Sequence, residues 1–214
     1  MASKATNRFP GLDVFYPIVP DAAWLGRLVP LGVKTVQLRL KGASPDRIRR
    51  EIGQSLEFCG RHGCQLIVND YWREALDAGA DFVHLGQEDL AGADVAALKA
   101  TGVRLGISTH SHEELATALA VQPDYVALGP IYETRLKVMK WAPQGLDRIA
   151  DWRRRVGSLP LVAIGGLTPE RADTVLAAGA DSLAVVTDFI THAEPEARVR
   201  EWLAKRQTLR ALRV

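Results

Sequence analysis

Two aspartates are the residues of this chain whose spacing most suggests chemistry. Asp70 follows the apolar run at residues 66–68, and Asp89 follows a second apolar run at residues 82–85. A helical pattern over residues 71–78 separates the runs, which predicts a strand–helix–strand unit with two parallel, neighbouring strands. Such strands end on one edge of a sheet, roughly 4.8 Å apart. The two carboxylates should therefore lie close together.

Two adjacent carboxylates repel, and one protonates unless a cation lies between them. Mg²⁺ is the predicted cation, because one or two carboxylates hold it while substrate phosphate oxygens complete its shell. The alternative is that Asp70 and Asp89 each cap the helix that follows.

Basic side chains occur at alternate positions of the second predicted strand. Gln37, Arg39 and Lys41 should share one face, with Leu38 and Leu40 between them packing outward. A cation inside a sheet structure is costly without an anion, so Arg39 and Lys41 should have an anionic partner in protein or ligand. The alternative is a charged strand end that reaches solvent.

Other polar residues and glycines follow the remaining predicted strands: Asn69, Ser108, Lys137, Gly165, Gly166 and Thr187. The glycine pair and the hydroxyl after it predict a phosphate site built from backbone N–H groups. A tight turn alone would also explain the glycines. The basic residues with the aspartates form one predicted anion site, and Gly166 with Thr187 forms a second, neutral one.

Two anion sites on one edge predict a group transfer with a diphosphate leaving group at the metal end. The sequence shows no obvious nucleophile and no Ser-His-Asp set, so we expect the protein to position substrates and stabilise charge. His84, within a predicted strand, is interpreted as a hydrogen-bonded structural histidine. Lys137 lies in a long loop over residues 129–143, which predicts a lid.

Alternating strand and helix signals recur eight times along the 214 residues. This pattern predicts an α/β protein with a single (β/α)₈ TIM barrel over residues 1–214, in which residues 1–12 are a flexible N-terminal extension. An open, doubly wound sheet is the alternative. In the barrel, the chemistry should lie where the strands end.

Composition limits the partners. The net charge of +2 gives no case for nucleic-acid binding, and no apolar run is long enough to cross a membrane. The N-terminus lacks a signal peptide. Cys59 and Cys64 lack a second cysteine pair for zinc, so we expect reduced, buried thiols in a cytoplasmic protein. Small-molecule substrates are the predicted partners, and the sequence leaves open whether a homo-oligomer forms.

Six motifs resemble those of the thiamine-phosphate synthase family. They are Gln37-Leu38-Arg39-Leu40-Lys41, Val68-Asn69-Asp70, His84-Leu85-Gly86-Gln87-Glu88-Asp89, Gly106-Ile107-Ser108, Leu128-Gly129-Pro130-Ile131-Tyr132 and Ile164-Gly165-Gly166-Leu167. The resemblance covers nearly the whole chain in the same order. It implies a (β/α)₈ barrel that joins a pyrimidine methyl diphosphate to a thiazole phosphate, or to its carboxylated form, giving thiamine phosphate and pyrophosphate.

The resemblance also implies residue roles. Asp70 and Asp89 would bind Mg²⁺. The pyrimidine diphosphate would be held by Gln37, Leu38, Arg39, Leu40, Lys41, Asn69, Ser108 and Lys137, of which Arg39, Lys41, Ser108 and Lys137 would act in catalysis. The thiazole phosphate would be held by Thr134, Arg135, Leu136, Gly166, Val186 and Thr187. The family reaction is dissociative: diphosphate leaves first, and the thiazole nitrogen captures the pyrimidine methyl cation.

Two departures from the family pattern fall on the thiazole side. Leu136 replaces the second hydroxyl of a Thr-x-Thr-Lys loop, and Asp188 adds a negative charge beside the proposed phosphate unless it points away. Two alternatives therefore stay open. One is an isomerase resembling the related thiazole tautomerase, which does not need the diphosphate and magnesium residues. The other is a non-catalytic ligand-binding barrel.

Overall fold

Eight parallel strands close into a barrel in the computed structural model, which describes residues 12–134 and 141–211. The strands are β1 Phe15–Val19, β2 Thr35–Leu38, β3 Gln65–Asn69, β4 Phe82–Leu85, β5 Arg104–Thr109, β6 Tyr125–Leu128, β7 Leu161–Ile164 and β8 Ser182–Val185. The helices are α1 Ala23–Leu28, α2 Pro45–His62, α3 Trp72–Asp77, α4 Gln87–Ala91, α5 Val95–Ala100, α6 His112–Ala120, α7 Gly145–Val156, α8 Ala172–Ala177, α9 Thr187–Ile190 and α10 Pro195–Ala211, with a 3₁₀ turn at Val29–Leu31.

Pairing between the first and last strands closes the sheet. Phe15 of β1 pairs with Leu183 of β8, and every other strand pairs with its neighbours in sequence order. A closed sheet has no free edge, so the open doubly wound alternative is excluded. The predicted (β/α)₈ barrel is confirmed.

The strands are buried on both faces, and their alternation produces two cores. Outward residues such as Phe15 and Val19 pack against the helices. Inward residues fill the barrel itself: Tyr16, Ile18, Ile67, Phe82, Tyr125, Ala127, Val162 and Ala184. The barrel is therefore a packed body, and its chemistry is confined to the rim at the carboxyl ends of the strands.

Three local features differ from the sequence prediction. Strand β2 ends at Leu38 rather than Leu40, although the Arg39 N–H still donates to the Val19 carbonyl at 2.8 Å. Short helices, α4 after β4 and α9 after β8, occupy segments for which the sequence predicted no helix. Helices of five and four residues are too short to show a helical period in sequence.

The termini and the cysteines complete the fold. Leu12 packs against the barrel interior, whereas residues 1–11 of the predicted extension lie outside the described residues. Cys59 and Cys64 are free and buried, as predicted. Among the described residues, no helix combines the length and apolar character that a membrane crossing requires.

Candidate active site

The two aspartates meet at the rim. Asp70 directly follows β3, and Asp89 lies in the first turn of α4, immediately after β4. Burial, followed by the charge and hydrogen bond of Asp70, raises the pKa of Asp89, while Lys41 and the Gly86 N–H act in the opposite direction. The two carboxyl groups are therefore close enough to interact. The predicted proximity of the pair is confirmed.

Asp70 occupies a backbone conformation that few residues other than glycine adopt. Its φ is 68°, and its N–H donates to the His84 carbonyl at 2.9 Å. The cap of α3 is Tyr71, which makes no side-chain capping bond. Asp70 therefore does not cap the helix. Strained backbone of this kind concentrates at functional sites.

Asp89 does contribute to helix capping. It is the third residue of α4, and its carboxylate accepts a hydrogen bond from the N–H of the cap residue, Gly86. This is the acidic half of a capping box. Gln87, at the start of the same helix, donates through Nε2 to the Ser108 carbonyl at 2.7 Å. The helix holding Asp89 is thus fixed to β5.

The basic residues after β2 reach different depths. Gln37 is buried at 3% exposure, and the Lys41 side chain is exposed but forms an ion pair with Asp70 at 3.1 Å. Lys41 therefore has the anionic partner that the sequence predicted. Between them, Arg39 is half-buried, and no carboxylate within residues 12–134 and 141–211 forms a salt bridge with it. Its guanidinium remains available to an anionic ligand.

The donor set at the acidic pair fits a hard cation. Two carboxylates in contact supply oxygen ligands, and their mutual repulsion favours a cation between them. Within the described part of the chain, no three His, Cys, Asp or Glu side chains converge on a common metal position. Mg²⁺ suits such a sparse site because it retains waters and takes substrate phosphate oxygens as ligands.

The glycine half of the rim is built from backbone. Gly165 and Gly166 have φ of 101° and 63°. A Cβ on Gly166 would lie 2.5 Å from the Glu133 carbonyl oxygen and 2.7 Å from Tyr132 Cβ. The loop after β6 also pairs with the end of β7, since the Tyr132 N–H donates to the Gly165 carbonyl at 3.1 Å. Glycine is needed here for close approach as well as for the turn.

Helix α9 completes this half. Val186 is its N-terminal cap residue and packs against the barrel interior, and Thr187 is its first residue. Thr134, next to Glu133, is half-buried on the same side of the rim. Val186 and Thr187 follow β8, which pairs with the strand that precedes Gly166, whereas Arg135, Leu136 and Lys137 lie outside the described residues. The ligand roles of all the predicted site residues stay predictions.

Asp188 points away from this site. Both its carboxylate oxygens accept bonds from Arg198, each at 2.9 Å, and one also accepts from Trp202 Nε1 at 2.7 Å. Both side chains of the ion pair are largely buried, at 10% and 13% exposure. The carboxylate joins α9 to α10, and its charge is neutralised there. The expected conflict with a phosphate does not arise.

A buried polar chain, absent from the sequence predictions as a unit, runs beneath the rim. Tyr16 and Tyr125 contact each other through their hydroxyls at 3.0 Å, and His84 Nδ1 lies 2.6 Å from the Tyr125 hydroxyl. His84 is thus hydrogen-bonded, as interpreted from the sequence. Burial lowers the pKa of His84 to about 4, with the charge of Asp70 opposing and that of Arg39 reinforcing the shift, and burial raises the pKa of both tyrosines. Phenol groups at inward positions of apolar strands are the signal that could have revealed this chain.

His84 also contacts Ser108, with 2.8 Å between Nε2 and Oγ. A serine beside a histidine resembles part of a nucleophilic triad, but Nδ1 faces a phenol rather than a carboxylate. The rim thus offers paired carboxylates, cations and backbone donors, arranged for positioning and charge stabilisation. Such a barrel, with an ion-pair half and a backbone half at its carboxyl-terminal rim, belongs to the class of (β/α)₈ barrels whose active site lies at this face.

Comparisons with known proteins agree with this class. The family model described as thiamine monophosphate synthase matches residues 16–189. A thiamine-phosphate synthase of Rhizobium etli is 62% identical over 193 residues, covering 90% of this chain and 95% of the relative. The enzyme of the same name from Neisseria meningitidis serogroup B is 49% identical over 190 residues, covering 89% of this chain and 93% of the relative.

A solved structure shares the fold. The thiamine phosphate pyrophosphorylase from Pyrococcus furiosus superposes with a TM-score of 0.80 at 23% identity, covering 92% of this chain and 96% of that one. The chain belongs to the thiamine monophosphate synthase family. The family and the enzyme class predicted from the sequence are confirmed.

Proposed function

We propose that the protein joins a pyrimidine methyl diphosphate to a thiazole phosphate, or to its carboxylated form, giving thiamine phosphate and pyrophosphate. The observation that carries this proposal is the contact between Asp70 and Asp89 beside Lys41 at the barrel rim. That cluster suits a diphosphate with its metal. The family relationship, at 62% identity to a protein named thiamine-phosphate synthase, supports the same reaction.

The diphosphate would lie over the ends of β2 to β5. Arg39 has no salt-bridge partner within the described residues, and Lys41 lies beside Asp70, so both cations can neutralise phosphate oxygens. Asn69, the last residue of β3, and Ser108, next to the last residue of β5, would add uncharged hydrogen bonds. Main-chain and side-chain atoms of residues 37–41, together with Lys137 of the loop, complete the proposed pyrimidine diphosphate site.

Asp70 and Asp89 would hold Mg²⁺ against the diphosphate. Bound there, the ion would offset the negative charge that develops on the leaving group. The protein holds both carboxylates in place. Asp70 is held by its main-chain hydrogen bond to His84, and Asp89 by the capping bond within α4. Little reorganisation is then required when the leaving group departs, which is how preorganised charge lowers a barrier.

The proposed bond changes need no protein nucleophile. The bond between the pyrimidine methyl carbon and the diphosphate oxygen breaks, and its electron pair leaves with the diphosphate. The lone pair of the thiazole nitrogen then forms the new carbon–nitrogen bond. Arg39, Lys41, Ser108 and Lys137 are the proposed catalytic residues, because they would contact the departing group. The remaining contribution is to hold two substrates in reacting geometry.

The thiazole phosphate would lie on the backbone half. Gly166 brings the loops after β6 and β7 into contact, and Thr187 and Val186 begin α9 beside it. Thr134, Arg135 and Leu136 would close this side from the loop. The ion pair of Asp188 with Arg198 supports the proposal, since the Asp188 carboxylate then does not oppose the phosphate.

Pyrophosphate release from the purified protein tests the reaction. The assay supplies pyrimidine diphosphate, thiazole phosphate and Mg²⁺, and omits each in turn. Release that requires all three, with thiamine phosphate formed, is the expected result. A parallel reaction with the carboxylated thiazole would establish which form is preferred.

Two other outcomes would favour the alternatives. Tight binding of pyrimidine diphosphate without release would point to the non-catalytic binding barrel, and isomerisation of a thiazole without need for Mg²⁺ would point to the tautomerase-like enzyme. We also propose a cytoplasmic location, which the free thiols of Cys59 and Cys64 support.

A further inference from the structure

Five side chains from five different strands form one hydrogen-bonded chain through the barrel interior. Gln37 Nε2 donates to the Tyr16 hydroxyl at 2.7 Å, and that hydroxyl lies 3.0 Å from the hydroxyl of Tyr125. Tyr125 contacts His84 Nδ1 at 2.6 Å, and His84 Nε2 contacts Ser108 Oγ at 2.8 Å. The two ends, Gln37 and Ser108, are both proposed ligand-binding residues. We call these five residues the interior relay.

Each phenol, hydroxyl and neutral imidazole of the interior relay has a single proton to donate. The donor of one hydrogen bond therefore limits which group can donate in the next. Tyr16 accepts from Gln37, and because a buried phenol proton requires an acceptor, its own proton is assigned to the Tyr125 hydroxyl. Tyr125 then donates to Nδ1 of His84, which leaves the proton of the neutral imidazole on Nε2. Nε2–H donates to Ser108 Oγ. The Ser108 proton remains for a ligand.

With the hydrogen bonds in this direction, His84 cannot activate Ser108 as a nucleophile. A base must accept the hydroxyl proton, whereas in this assignment Nε2 of His84, 2.8 Å from Ser108 Oγ, carries the imidazole proton and donates it. Gln37 Nε2 is engaged with Tyr16, which leaves its Oε1 as the acceptor of this side chain. One end of the relay thus accepts and the other donates.

A merely structural role does not account for this chain. The interior cluster around it is apolar and includes Phe82, which fills its position without a polar atom. Burying two phenols and an imidazole in such surroundings is unfavourable unless each is hydrogen-bonded. Phenylalanine at the two tyrosine positions would fill similar space without that requirement. The polar chain is explained by what it does at its two ends.

We infer that Tyr16, Tyr125 and His84 are positioning residues. Through their hydrogen bonds, Gln37 presents an acceptor and Ser108 presents a donor to one aminopyrimidine ring. Resting on the proposed function, this assigns the ring's amino group to Gln37 Oε1 and an acceptor of the same substrate, a ring nitrogen or a phosphate oxygen, to the Ser108 hydroxyl. Three residues with no place at the rim would thereby control substrate recognition.

The Tyr125→Phe variant breaks the relay at its centre while keeping the ring. We expect kcat/KM for the pyrimidine diphosphate to fall about tenfold, the effect of one hydrogen bond, with the KM for thiazole phosphate unchanged. The matched control is Thr109→Val, which removes another buried hydroxyl on β5, bonded to the Ala127 carbonyl and to Trp152. The control should lower stability without changing either constant.

A double variant separates positioning from structure. If Tyr125 acts through Ser108, adding Tyr125→Phe to Ser108→Ala should cost little further activity. Fully additive losses in the double variant would overturn the inference. So would equal changes in both substrate constants, which indicate a general structural defect.

The tautomer of His84 gives a test that does not depend on activity. ¹⁵N NMR of the protein, with the signal assigned by its loss in His84→Gln, should show a protonated Nε2 and an unprotonated Nδ1. In Tyr125→Phe the Nδ1 signal should shift towards that of a mixed tautomer. A protonated Nδ1 in the unmodified protein would overturn the relay, even if turnover is normal. Absent turnover with the expected tautomer would instead count against the proposed function.

Discussion

The two proposed anion sites of the rim differ in the chemical groups that they offer to a ligand. The half over β2 to β5 uses charged side chains, with Asp70, Asp89 and Lys41 in contact. The half over β6 to β8 uses backbone, with Gly165 and Gly166 holding two loops against each other. A charged half suits a leaving group whose charge changes during reaction, whereas a neutral half suits a phosphate that stays unchanged.

The two halves also differ in how a carboxylate is accommodated beside them. Asp188 introduces a carboxylate beside the backbone half, yet Arg198 and Trp202 bind it away from the rim. An unpaired carboxylate beside the proposed phosphate would oppose its binding, so the pairing of Asp188 with Arg198 suits the proposed site. In the charged half, by contrast, the like charges of Asp70 and Asp89 belong to the proposed metal site.

The largest expected effect lies in the charged half. Asp89→Asn keeps an oxygen for the Gly86 N–H but removes the charge, so the helix should remain while the proposed metal site is lost. We expect kcat/KM to fall about 1000-fold, roughly 4 kcal/mol. Steady-state kinetics over a Mg²⁺ titration would measure it.

Glu88→Gln is the control, because Glu88 is an exposed carboxylate next in sequence on the same helix. It should retain activity. Near-normal activity of Asp89→Asn would eliminate the metal assignment for the charged half.

The second expected effect concerns stability beside the backbone half. Asp188→Ala leaves Arg198 and Trp202 without their shared partner, and breaking a buried ion pair should lower the free energy of unfolding by about 3 kcal/mol. The KM for thiazole phosphate should not change. Urea unfolding and kinetics together would test this.

Glu170→Ala provides the comparison for that ion pair. Glu170 contacts the same Arg198 at 3.1 Å, but its side chain is 69% exposed, so its loss should cost at most about 1 kcal/mol. If Asp188→Ala instead changed the thiazole constant and left stability intact, Asp188 would belong to the site after all.

The third effect should distinguish packing from conformation in the backbone half. Gly166→Ala combines a strained φ with contacts to Glu133 and Tyr132, and should lower stability by about 2 kcal/mol and raise the KM for thiazole phosphate. Gly63→Ala has a similar φ of 58° with open space around it. This control should lose about 1 kcal/mol without a kinetic change. Equal behaviour of the two variants would mean that Gly166 serves only its turn.

The smallest effect tests one hydroxyl. Thr187→Ala should raise the apparent constant for thiazole phosphate about fivefold, the value of roughly one hydrogen bond, and leave the pyrimidine constant unchanged. Thr191→Ala removes the hydroxyl just beyond α9, which donates to the Thr187 carbonyl at 2.8 Å, and serves as the control. An unaltered thiazole constant in Thr187→Ala would remove that residue from the proposed site.

Long elements with a clear period were predictable, and short or distant features were not. The alternation of apolar runs and helical patterns predicted eight strands in a barrel, and neighbouring strands predicted the contact of Asp70 with Asp89. Helices α4 and α9 escaped prediction because each is under two turns long. Asp89 therefore proved to be a helical residue that also caps, whereas Asp70 does not cap at all.

The sequence by itself determined the fold, the acidic pair and the glycine turn, because each depends on local period or on neighbouring strands. Only the tertiary structure decided where Asp188 points and which residues connect Gln37 to Ser108. Those outcomes depend on contacts between β1, β4 and β6, and between α9 and α10, which no local pattern encodes. Closing the barrel brings such distant side chains within hydrogen-bonding distance, and the interior relay exists only as a result of that closure.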